Sequence, residues 1–170
     1  GTAVSILVGK RIGEGHPNAA ARTTWIAMSI AAVYMLVFGG IYIGLPDLLM
    51  TPYTVEANAE DFAKIRPLII RLLWFVALYS LFDAMAIVFG SALRGAGDTR
   101  FAMWFSFGCG WLLMVIPTWL GVKYWHWGVL AAWTACTANV FVCGLGFATR
   151  FQRGKWRTMR VIEAPPPPDV

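Results

Sequence analysis

Four long apolar runs, 25–45, 68–93, 101–122 and 128–149, alternate with polar stretches along the chain. Three of them hold no charged residue, and 68–93 holds only Arg71 and Asp83. At ~1.5 Å of rise per residue, about 20 apolar residues cross a bilayer core of about 30 Å, so each run predicts a membrane-spanning helix. Residues 1–9, GTAVSILVG, are apolar but too short to cross, and read as the last turns of a helix that begins before residue 1. The pattern predicts an all-α, polytopic transmembrane helix bundle of four full spans plus the end of a fifth. One unit covers residues 1–155, and a disordered tail ending in APPPPDV covers 156–170.

The connectors carry the turn chemistry. Residues 10–24, KRIGEGHPNAAARTT, read as a polar turn at the membrane surface; the two glycines match no phosphate-binding spacing. In 46–66, acids precede bases at helical spacing over 58–66, which predicts a short surface helix, with Pro67 in the first turn of the span that follows. After Arg94, Gly95 is the expected helix stop and Asp98 or Thr99 the cap of the next helix. Gly39, Gly40, Gly44, Gly108 and Gly110 are expected where neighbouring helices approach closely, and a bend is expected at Pro117. The stretch 122–127, VKYWHW, reads as an interfacial hairpin. Connectors 10–24 and 94–100 together with the tail hold ten Lys and Arg, against four on the other side: Lys64, Arg66, Arg71 and Lys123. The base-rich side, with the C-terminus, is therefore expected in the cytoplasm, in a multi-pass plasma-membrane (cell inner membrane) protein.

Composition narrows the class further. Of 170 residues, 58% are apolar and 14% charged, where a soluble domain carries roughly 25% charge. A net charge of +5 would suit nucleic acid in a soluble protein. Here the bases sit at the ends of apolar runs, so the expected partner is the lipid bilayer and not nucleic acid. Cys109, Cys136 and Cys143 lie singly within apolar runs, without metal spacing.

Asp83 is the residue that composition alone does not explain. It lies 12 positions after Arg71 and 11 before Arg94, near the middle of its span. A carboxylate there costs at least ~2.5 kcal/mol on insertion scales. Tyr79, four positions earlier, shares its helix face. The pair can bind a cation or exchange a proton, which is the coupling element of an ion-driven transporter. The structural alternative is an aspartate satisfied by a neighbouring span. Asn139, within the last run, can make an interhelical hydrogen bond or, as a weaker candidate, line a substrate pathway. No nucleophile with an orienting base appears in the spans, so no enzyme is expected. No cofactor is expected, and no metal apart from sodium at Asp83.

The segment FDAMAIVFGSALRGAGDTRFAMW resembles the region around the tenth helix of the multidrug and toxic compound extrusion (MATE) transporters, ending in their G-x-LRGxGDT pattern. AVSILVGKRIGEGHPNAAAR is similar to that family's connector after the eighth helix. The resemblance spans nearly all of residues 1–155, and the basic tail after four spans favours the C-terminal half. It implies twelve helices in two bundles, exporting cationic or amphipathic drug-like substrates and other xenobiotics against inward sodium or protons. Asp83 and Tyr79 match the tenth-helix acid and tyrosine of the sodium-coupled branch. The N-terminal half of the carrier and the seventh-helix acid would precede residue 1, making this chain a fragment. The alternatives are a related lipid or polysaccharide flippase and a non-transporting membrane scaffold.

Overall fold

The computed structural model of the protein describes residues 1–54, 59–125 and 128–159. They form seven α-helices: α1 (Thr2–Gly13), α2 (Pro17–Gly44), α3 (Pro46–Thr54), α4 (Ala59–Gly95), α5 (Thr99–Cys109), α6 (Ile116–Trp125) and α7 (Val129–Gln152). A π-helical segment, Gly110–Val115, joins α5 to α6, and a 3₁₀ turn, Lys155–Thr158, follows α7. Among the described residues, four stretches are long and apolar enough to cross a membrane: Pro17–Gly44, Ile65–Gly95, Thr99–Tyr124 and Ala131–Gln152. The fold is all-α and polytopic, as the alternation of runs predicts.

Helix α4 is the centre of the bundle. It packs most extensively against α7 and α2, and also meets α1, α3 and α5. The contiguous buried core lies at one end of the molecule. On α4 it comprises Ala84, Val88, Phe89, Ala92 and Leu93, followed by Ala96, all on the Arg94 side of Asp83. Val4 and Val8 of α1, Ala20, Ala21 and Met28 of α2, Ala102 of α5, Phe147, Ala148 and Phe151 of α7, and Trp156 complete it. Outward faces carry large exposed apolar side chains, among them Ile30, Leu36, Trp74, Trp104 and Leu112. In water these would be a liability; against lipid they are the expected surface, since there the backbone is satisfied within each helix and the side chains meet hydrocarbon.

Close crossings depend on several glycines; Gly9 faces Gly95 across α1 and α4, and a Cβ on Gly146 of α7 would strike the Phe105 ring of α5. A Cβ on Gly95 would strike the Ser5 backbone of α1. A Cβ on Gly144 of α7 would lie 2.6 Å from the Phe82 carbonyl oxygen of α4. Small residues let membrane helices approach to this distance, where van der Waals contact replaces the missing hydrophobic drive. The expected close approach at Gly39 is present only as an ordinary contact, 3.8 Å from Ala77. Gly40, Gly44, Gly108 and Gly110 have nothing within 4 Å and are not crossing points among the described residues.

Several boundaries differ from expectation for local reasons. The stretch 10–24 is almost wholly helical; only 14–16 separate α1 from α2, because the Ala-rich segment after Pro17 propagates a helix despite its polar flanks. Pro67 lies inside α4, not in its first turn. The carbonyl it leaves without a donor belongs to residue 63, in polar turns ahead of the apolar run, where water can satisfy it. The stop of α4 is Gly97, at φ 90°, and not Gly95. The amide of Asp98 donates to the Leu93 carbonyl at 2.9 Å and that of Gly97 to Arg94 at 3.1 Å, the paired bonds of a Schellman cap. The expected bend at Pro117 is anticipated by the π segment, which contains residue 113, whose carbonyl the proline ring would otherwise meet. The hairpin at 122–127 lies partly outside the described residues.

The tail also begins in order. Trp156, expected in a disordered segment, is 1% exposed and the largest fully buried side chain. It stacks on Phe151 at 4.8 Å, and its Nε1 donates to the Phe151 carbonyl at 2.7 Å. One indole thus buries a large apolar area with its polar atom satisfied, which outweighs the polar composition around it. The remainder of the expected tail, 160–170, lies outside the described residues.

Candidate functional site

Asp83 and Tyr79 lie one turn apart on α4, and both are half-buried. The residues beside Asp83 seat the helix: Phe82 stacks on Phe141 of α7 with ring centroids 3.5 Å apart, and Ala84 is in the core. The Tyr79 ring stacks with Trp133 of α7, centroids 6.3 Å apart and planes 29° apart. Beside Trp133 is a shallow groove of about 190 Å³ lined with Ala132, Trp133 and Cys136. No described residue makes a hydrogen bond or ion pair with the Asp83 carboxylate. The alternative in which a neighbouring span satisfies this aspartate therefore finds no partner among the described residues. The arrangement offers a carboxylate, a phenol and two aromatic faces at mid-span, a set suited to a cation or a proton.

Asn139 is not brought to this site. Two positions from Phe141 along α7, it points about 200° around the helix from the residue that stacks on α4. Its Oδ1 accepts a weak bond from the Cys143 Sγ at 3.9 Å, within the same helix. The interhelical hydrogen bond expected of Asn139 is thus absent among the described residues.

A second charged constellation escaped the sequence reading. Asp98 occupies the cap position of α5, but its side chain makes no capping hydrogen bond. Its Oδ2 instead accepts from Nε of Arg150, at 2.8 Å, with side chains 5% and 20% exposed respectively. The Arg150 guanidinium also lies over the Phe101 ring, 4.6 Å from its centroid. Asp98 was legible as a cap for the helix that follows; nothing in the chain order selected Arg150, 52 residues away. Around this pair the base-rich connectors meet. Arg157 Nη1 donates to Asn18 Oδ1 at 3.3 Å, and Arg11 Nη1 to the Ala19 carbonyl at 3.2 Å. At the opposite end Arg66 pairs with Asp47 at 2.7 Å, and Lys123 lies over the Trp119 ring at 4.6 Å. The two-sided distribution of charge is therefore realised in space.

Four apolar spans around a mid-span carboxylate, with bases gathered at one end, define a polytopic α-helical membrane protein. A family model, MatE, matches residues 1–120, and the chain belongs to the MatE family. Among curated relatives, 154 residues are 29% identical to a probable multidrug resistance protein NorM of Mesorhizobium japonicum, covering 89% of this chain and 32% of that protein. The same name is carried by a Pseudomonas putida relative, 29% identical over 94% of this chain and 34% of its own length. A Pasteurella multocida relative is 34% identical over 66% of this chain and 23% of its own length. The chain thus spans about a third, or less, of the length of these relatives. The membership agrees with the resemblance carried by the LRGAGDT stretch.

Proposed function

We propose that this chain forms the C-terminal part of a cation-coupled antiporter that exports drugs and other xenobiotics. The observation that carries the reading is Asp83, a carboxylate at mid-span with no cationic partner among the described residues and with Tyr79 one turn before it. A membrane helix does not bear that cost for packing alone, since the flanking Phe82 and Ala84 already supply the packing. The relatives' names, multidrug resistance proteins, support drugs as the cargo. Sodium or a proton is the coupling ion, held at Asp83 with Tyr79 as a further oxygen donor. No other cofactor is needed. The cargo is cationic or amphipathic and drug-like, and the carrier is completed by the other helical bundle of the same transporter, because alternating access requires two bundles rocking about a shared site. The base-rich end, with Arg94, Arg100 and Arg150, faces the cytoplasm from the cell inner membrane.

The test is made in the full-length protein. Asp83→Asn should insert as well as wild type, since losing a charge lowers the insertion cost, and should lose ethidium efflux driven by a sodium or proton gradient in vesicles. Tyr79→Phe should weaken cation affinity by roughly 1 kcal/mol, the worth of one hydrogen bond. Wild-type gradient-driven efflux in Asp83→Asn would remove the coupling role.

A further inference from the structure

Between the end of α4 and the first turns of α5 lies a groove of about 520 Å³, lined with Arg94, Thr99, Arg100, Ala102, Met103 and Ser106. Its volume falls within the roughly 300–1,000 Å³ typical of small-molecule sites. We propose that this groove binds the phosphodiester headgroup of an anionic phospholipid in the leaflet on the base-rich side, with an acyl chain along α5.

Three features select this ligand. The first is charge. Asp98, the acid nearest in sequence, is committed to Arg150 at 2.8 Å, so it does not neutralise the groove. Among the described residues no carboxylate pairs with Arg94 or Arg100. The second is placement. Arg94 does not extend away from the bundle: its Nη2 donates to Ser91 Oγ at 3.0 Å, and its Nη1 lies 3.7 Å from where a Cβ on Gly90 would be. The guanidinium is therefore folded back about a turn along α4, toward the membrane interior, with only a neutral hydroxyl as acceptor. Guanidinium forks match phosphate oxygens, and basic clefts between membrane helices suit anionic headgroups. The third is the wall. From Thr99 the groove runs along α5 past Ala102 and Met103 to Ser106, roughly 10 Å at the helical rise. Met103 is exposed, in a row with Trp104 and Phe107 that faces hydrocarbon. A free inorganic anion would use the arginines and leave this wall empty; a phospholipid uses both.

The experiment is a lipid titration of the full-length, delipidated protein in detergent, read by native mass spectrometry. Dioleoylphosphatidylglycerol, dioleoylphosphatidylcholine and inorganic phosphate are the probes. Wild type should bind phosphatidylglycerol about thirtyfold more tightly than phosphatidylcholine, as expected from two guanidinium groups near an anionic headgroup. Arg94→Ala/Arg100→Ala should lose that preference, and Arg94→Lys/Arg100→Lys should keep part of it. If the double alanine variant lacks wild-type circular dichroism, Arg100→Ala alone decides, because Arg100 is exposed and makes no ion pair with described residues. Met103→Trp, which fills the groove and leaves both charges, should weaken phosphatidylglycerol binding. Equal binding of the two lipids by wild type, an unchanged preference in the arginine variants, or displacement of phosphatidylglycerol by millimolar phosphate would overturn the proposal. The readout is binding, so it stands or falls separately from the efflux assay of Asp83.

Discussion

Removing Arg150 should loosen the base-rich end of the bundle more than any other single surface charge. Its partner Asp98 has a side chain 5% exposed, and the 2.8 Å contact is a charge-assisted bond. Truncating one member of a buried pair leaves the other uncompensated, at a typical cost of about 3–5 kcal/mol. Arg150 is itself 20% exposed, so some solvent reaches the pair and the low end, about 3 kcal/mol, applies. The contact with Phe101 contributes about 0.5–1 kcal/mol of that loss. Asp98→Ala should cost less, about 1 kcal/mol, because the freed arginine can turn into water while the helix stop at Gly97 remains. The double variant should resemble Asp98→Ala, giving a coupling of about 3 kcal/mol. Arg150→Lys keeps the charge, loses the fork, and should fall between. The assay is unfolding of the full-length protein by sodium dodecyl sulfate in mixed micelles, followed by tryptophan fluorescence. An Arg150→Ala midpoint equal to wild type, or single-variant costs that simply add in the double variant, would refute this reasoning.

Further outcomes follow from the same geometry. Gly144→Ala places a methyl 2.6 Å from the Phe82 carbonyl and should cost about 1–3 kcal/mol in the same unfolding assay, whereas Gly40→Ala, with nothing within 4 Å, should be neutral or stabilising. Trp156→Ala removes a fully buried indole and its bond to Phe151 and should cost about 3–5 kcal/mol, with new protease cleavage after residue 152 as an independent readout. For orientation, in a background without the native cysteines, Leu48→Cys should react with an impermeant thiol reagent outside intact cells and Thr158→Cys should not. The reverse labelling would invert the assigned topology.

What the sequence reveals here depends on whether a feature is local or made by contact. The spans are local: an apolar run of membrane length has one favourable structure in lipid, and all four were legible. Asp83 was legible for the same reason, as a charge where the solvent is hydrocarbon. Helix ends were less so, because α2 starts at Pro17 through helix-forming alanines that hydropathy counts as connector. The pairings were not legible at all. That Tyr79 meets Trp133 and that Asp98 meets Arg150 depend on how α7 lies against its neighbours, and that Trp156 folds back on Phe151 depends on the left-handed turn at Gly154. Glycine behaved likewise: five candidates were marked in the runs, and only the packed geometry shows that Gly9, Gly95, Gly144 and Gly146 sit where helices approach closely.

The one-sided core has a mechanical consequence. Every α4 residue in the contiguous buried cluster lies between Asp83 and the Arg94 end, where α1, α2 and α7 grip it. The bundle is thus clamped at one end like a set of cantilevers. Displacement from a small rocking at the clamp grows with distance along the beam. A tilt about that clamp therefore moves the Tyr79 side of α4, which adds no residue to the buried cluster, further than the stretch from Ala84 to Leu93. Stiffening the packed end would therefore leave the far ends of the helices free to move relative to it.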